Sequence, residues 1–72
     1  MDLIDRIIAT RTDHDESQRT LAAALGINHV QWAQYECRKH ELPTRYLEQF
    51  CRHYGVSADY LLGLPKGLDW PR

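Results

Sequence analysis

The chain has 72 residues, 43% of them hydrophobic and 26% charged, with a formal net charge of −1. Those values fit one small folded domain and argue against disorder and against a protein that is basic all over. No apolar run approaches the roughly 20 residues of a membrane span. Asp2, Asp5 and Arg6 interrupt the N-terminus, so no signal peptide is expected and a cytoplasmic location follows by default.

In chain order, the pattern predicts five helices and no strand. Asp2 is placed to cap a first helix over about Leu3 to Arg11, with Leu3, Ile4, Ile7 and Ile8 on one apolar face and Arg6, Thr10 and Arg11 off that stripe. The polar stretch from Thr12 to Glu16 breaks the periodicity. Ser17 caps a second helix, Gln18 to Leu25, in which Leu21 and Leu25 face inward and Ala22 lets a neighbouring helix come close. Gly26 is positioned to take the left-handed conformation that ends a helix. Asn28 caps a third helix, His29 to Cys37, whose Trp32 and Tyr35 share a face. A loop with a short basic run leads to Pro43. Thr44 is then read as the cap of a fourth helix, Arg45 to Tyr54, with Leu47, Phe50, Cys51 and Tyr54 as its apolar positions. Gly55 ends that helix, Ser57 caps a short fifth over Ala58 to Leu62, and Gly63 closes it. The division is a domain over 1–63 and a tail over 64–72.

Several motifs then stand in a fixed order. Gln18-x-x-Leu21-Ala22-x-x-Leu25-Gly26-Ile27-Asn28 is followed by Trp32-x-x-Tyr35-Glu36, by Pro43, and by Val56-Ser57-x-Asp59-Tyr60-Leu61-Leu62-Gly63. In this the chain resembles the lambda-repressor-like, Cro/XRE-type DNA-binding domains, from about Leu3 to Gly63. The resemblance implies an all-α, compact five-helix lambda-repressor-like domain with a helix-turn-helix at the second and third helices. It also implies that His29, Val30 and Gln34, with Gln31 close by, occupy the positions that read bases in the major groove. Two positions depart from the family pattern. Arg38 stands where a Gly often closes the recognition helix, which implies a longer helix or a strained cap. Glu16 stands where an apolar residue is common, and it sets a negative charge near the path of a phosphate.

The candidate phosphate contacts are Gln18, Arg19 and Asn28 at the helix starts, and Arg38, Lys39 and Arg45 after the third helix. Tyr60, Leu64 and Trp70 supply more apolar surface than a tail of this kind needs, and they suggest a two-fold dimer contact. Cys37-x-x-His40 and Cys51-x-His53 miss the paired spacing of structural zinc, so neither a metal nor another cofactor is expected. No nucleophile, base and orienting group stand at an arguable spacing, and no Gly-rich phosphate loop occurs. No catalytic residue and no enzymatic activity are expected.

The expectation is therefore a homodimeric transcriptional regulator, a repressor that sits on a palindromic double-stranded DNA operator. The competing expectation is a module that kept this fold and binds a protein partner instead of DNA; the acidic loop before Gln18, the missing Gly at Arg38 and the net negative charge favour it.

Overall fold

The computed structural model of the chain describes residues 2–64. Within them lie five helices and no strand: α1 (Leu3–Asp13), α2 (Gln18–Leu25), α3 (His29–Glu36), α4 (Thr44–Tyr54) and α5 (Ala58–Leu62). No helix among the described residues is long and apolar enough to cross a membrane. Trp70, expected at a dimer contact, lies outside the described residues.

The helix starts follow local chemistry. Asp2 accepts from the Asp5 amide at 2.9 Å and the Asp5 carboxylate reaches back to the Asp2 amide at 3.4 Å, a reciprocal cap on α1. Ser17 and Ser57 accept from the Thr20 and Tyr60 amides at 3.0 and 3.1 Å. Asn28 accepts from the Val30 amide at 2.7 Å. At the end of α2, Gly26 has φ +74°, and Ile27 N–H reaches back to the Ala22 carbonyl at 3.0 Å.

Three boundaries differ from the sequence expectation. α1 runs to Asp13 instead of Arg11, because the Thr10 and Thr12 hydroxyls bond to carbonyls one turn back, at 2.8 and 2.9 Å, and so need no water. α3 ends at Glu36, and Cys37 is its C-cap. Pro43, not Thr44, is the N-cap of α4. Its carbonyl accepts from the Tyr46 and Leu47 amides at 3.0 and 3.2 Å, so Thr44 is already inside the helix and no side chain caps it.

The core is Ile7 from α1, Leu21, Ala22 and Leu25 from α2, Trp32 and Tyr35 from α3, Phe50 from α4 and Leu61 from α5. Trp32 stacks on Phe50 with ring centroids 5.9 Å apart, and Phe50 meets Tyr54 edge-on at 4.8 Å. Leu3, Ile4, Leu47, Cys51 and Val56 close the margins. Burial in this margin pushes the Cys51 thiol pKa up, which makes the thiolate scarcer.

One polar cluster sits inside this apolar packing. Glu36 is 6% exposed, and its carboxylate accepts from Arg11 Nε (2.7 Å), an Arg11 terminal amine (3.0 Å), Gln18 Nε2 (2.9 Å) and Trp32 Nε1 (2.6 Å). The other terminal amine of Arg11 donates to the Glu16 carbonyl at 2.8 Å. Thus Thr10 and Arg11, read from the sequence as lying off the buried stripe, both turn inward: Thr10 is 6% exposed and the Arg11 side chain 12%. Burial pushes the Glu36 carboxyl pKa up, but the Arg11, Gln18 and Trp32 donors outweigh it, and the group stays below its ordinary value of 4.5.

A carboxyl depressed in the folded state stabilises the fold above its unfolded pKa and loses that contribution as pH falls through the folded value. Wild-type stability is therefore expected to decline as pH drops below about 4.5. Glu36→Gln leaves the Arg11 charge buried without its counter-ion, and should cost roughly 3 kcal/mol in urea unfolding followed by far-UV circular dichroism. It should also flatten the acid decline. A variant as stable as wild type at pH 7 would show that the cluster contributes nothing to the fold.

Candidate nucleic-acid interface

The cluster around Glu36 decides which way α3 faces. With Trp32, Tyr35 and Glu36 turned inward, the opposite side of α3 is left to solvent. Val30 on that side is 55% exposed, and His29, Gln31, Ala33 and Gln34 are half-buried. A shallow depression runs beside it, where α1 meets α3. Its floor is apolar, from Ile8, Val30, Ala33 and Cys37, and its edge is Gln18, Gln34 and Lys39. Among the described residues the only acid that lines it is Glu36, whose charge is met by Arg11.

The sequence-derived site residues separate on this surface. Val30, Gln34, Gln18 and Lys39 share the depression. His29, at the first turn of α3, does not line it; its Nε2 lies 3.5 Å from an Arg19 terminal amine, which brings the first turns of α2 and α3 together. Gln31 donates one amide hydrogen to the Tyr35 hydroxyl at 2.8 Å, which ties its side chain back along α3. Gln18 spends one amide hydrogen on Glu36, and Asn28 spends its side-chain oxygen on the cap of α3.

The three cations expected to act as one group do not share a contact. Arg38 donates to both Asp2 carboxylate oxygens at 2.8 and 3.1 Å and to Asp5 at 2.8 Å. The Arg38 hydrogen bond holds the Asp2 carboxyl below the usual carboxylate range, and Asp2 followed by Asp5 raises the Arg38 pKa in return. Arg38 therefore lines a second depression, with Leu3, Ile4, Tyr35, His40, Glu41 and Leu42, whereas its neighbour Lys39 lines the first. Arg45 lies over the Tyr46 ring, 4.7 Å from its centroid.

The reason Arg38 and Lys39 diverge is backbone geometry. Arg38 has φ +65°, and the Arg38 and Lys39 amides close α3 by bonding to the Tyr35 and Gln34 carbonyls at 3.1 and 2.9 Å. This is the left-handed termination that Gly normally provides, made here with a residue that has a Cβ. Of the two alternatives the departure left open, the strained cap is the one adopted. Glu16 is also turned away from the surface in question. Its carboxylate bonds to His53 on α4 at 2.8 Å, and that contact is the chief reason its pKa is lowered.

The sequence pattern did not single out Arg11 as the partner of Glu36, nor Ile8, Ala33 and Cys37 as one floor. The one signal that could have found part of the cluster is the spacing of Trp32 and Glu36, one helical turn apart.

Arg38→Gly and Arg38→Ala both remove the contacts to Asp2 and Asp5, but only glycine relieves the left-handed backbone. The glycine variant should be more stable than the alanine variant by roughly 1 kcal/mol in thermal or urea unfolding. Equal stabilities would argue against a left-handed residue at this position. Comparison of the chain with family models, with curated proteins and with solved structures finds no match.

Proposed function

We propose that the chain is a sequence-selective DNA-binding protein of the lambda-repressor-like, Cro/XRE type. In this reading α2 and α3 form a helix-turn-helix, and α3 enters the major groove. A dimer occupies a palindromic operator and represses by blocking polymerase sterically. The observation that carries the reading is the charge around the exposed side of α3. Arg19 and Lys39 stand beside it, and among the described residues neither has an acidic partner and Glu36, the only acid lining the depression, is already neutralised. A net charge of −1 is compatible with this arrangement, because steering depends on where charge lies and not on its sum.

Under this reading His29, Val30 and Gln34 meet base edges, and Arg19 and Lys39 meet phosphates with help from the α2 N-terminus. Gln18 contributes its remaining amide hydrogen. Arg38 and Arg45 take a smaller part than the sequence suggested, as each is occupied at home. Tyr60 (59% exposed) and Leu64 (half-buried) belong to the proposed dimer contact, with Leu62 (47% exposed) beside them. Two recognition helices would then lie about 34 Å apart, one turn of DNA.

The same exposed Tyr60 and Leu62, with Arg38 withdrawn into ion pairs, favour the competing reading of a module that binds a protein. One experiment separates the two. Purified protein is used to select duplexes from a random pool, and binding to the enriched sequence is followed by fluorescence anisotropy. Gln34→Ala should weaken the selected site by about 1–3 kcal/mol and relax the preference at one position. Lys39→Ala should weaken all sequences alike and lower the salt slope by about 1. Failure to enrich any sequence, with no salt-dependent binding to duplex DNA, would discard the reading in favour of a protein partner.

A further inference from the structure

If α3 is the groove-entering helix, the structure also bears on what it reads, and the inference rests on that assignment. Four side chains occupy base-reading positions, but they are not equally available. Gln31 is bonded to Tyr35, and His29 is directed toward Arg19. Val30 and Gln34 remain. Val30 is more than half exposed, and the Gln34 side chain makes no hydrogen bond among the described residues while it lines the depression.

Val30 and Gln34 are separated by one turn of α3, so their side chains stand side by side, about 6 Å apart along the axis. One is apolar, and it continues a floor made by Ala33, Cys37 and Ile8. The other is an amide with an unused donor and an unused acceptor. An exposed valine in a helix is a weak helix former, and water gains nothing from it. On the major-groove edge of B-DNA one apolar feature projects, the thymine C5-methyl, and one base offers the donor–acceptor pair that an amide matches in two bonds, adenine at N6 and N7. Two steps of the duplex span about the same length as one turn of the helix. Among the described residues no unpaired acid lines the floor to repel the flanking phosphates, and Lys39 at its edge attracts them.

We infer that Val30 and Gln34 form a two-residue reader of A·T pairs, with a thymine methyl against the Val30–Ala33 floor and an adenine within about two steps paired to the Gln34 amide. A G·C pair at either place offers no methyl to the floor and the wrong edge to the amide.

The test uses the full chain and the duplex enriched by selection. Each thymine is replaced in turn by deoxyuridine, which lacks only the methyl, and each adenine by 7-deaza-adenine, which lacks the N7 acceptor. One deoxyuridine should weaken wild-type binding about fourfold, the worth of one buried methyl, and should leave Val30→Ala unaffected. One 7-deaza-adenine should weaken wild type and leave Gln34→Ala unaffected. Because both side chains are at the surface, the variants should keep the wild-type circular dichroism and melting temperature. Selective binding in which every deoxyuridine costs wild type and Val30→Ala the same would overturn the methyl contact while leaving DNA recognition in place. The same result for Gln34→Ala with 7-deaza-adenine would overturn the adenine contact. The absence of any selected sequence would overturn this inference together with the assignment of α3 as a reader.

Discussion

The buried carboxylate of Glu36 is the contact on which the rest of the arrangement depends. Its bonds come from three helices: Arg11 on α1, Gln18 on α2 and Trp32 on α3 itself. An ionised carboxylate at this depth is costly unless its lone pairs are filled, and here each oxygen accepts two of the four bonds. The apolar core alone would allow α3 some rotation about its axis, since Trp32 and Tyr35 define a side and not an angle. The three directional bonds from Arg11 and Gln18 remove that freedom, while the fourth, from Trp32, lies within α3 and holds the carboxylate in place. They also draw the α1–α2 loop into the set, because Arg11 reaches the Glu16 carbonyl.

Fixing the rotation of α3 has a consequence at each end of it. At the start, Asn28 closes the turn after Gly26 and leaves Val30 facing outward. At the finish, a left-handed Arg38 reverses the chain, and its side chain forms ion pairs to Asp2 and Asp5 at the start of α1. The reversal turns Arg38 and Lys39 to different sides. One cation is used to fasten the end of α3 to α1, and the other is left at the edge of the exposed strip. A glycine at position 38 would make the turn more cheaply but would leave Asp2 and Asp5 unpaired.

Charge near the strip follows from the same pairings. The chain holds as many acids as bases to within one, yet the acids closest to α3 are occupied. Glu36 is met by Arg11, Asp2 and Asp5 are met by Arg38, and Glu16 is turned to His53. The exposed pairs of Arg38 with Asp2 and Asp5 add little stability. The effect of these pairings is to decide which charges remain, and among the described residues Arg19 and Lys39 are what remain beside the strip.

The amino-acid sequence by itself determined the number of helices, most of their boundaries, and the core positions Leu21, Ala22, Leu25, Trp32, Tyr35 and Phe50, because periodicity, caps and helix-ending glycines are local properties of a chain. It misplaced the cap of α4 and stopped α1 short, because a proline carbonyl and back-bonded threonines serve in place of the usual signals. It also named all four side chains of the α3 strip without telling which were free. That distinction belongs to the tertiary structure. Gln31, Gln18 and Arg38 are polar residues of the kind a DNA reader uses, and each found a partner distant in space or one turn away that spacing could not rank. Whether a polar side chain serves the fold or faces outward depends on which donors and acceptors the packed helices bring within 3 Å or so of it, and no local pattern records that.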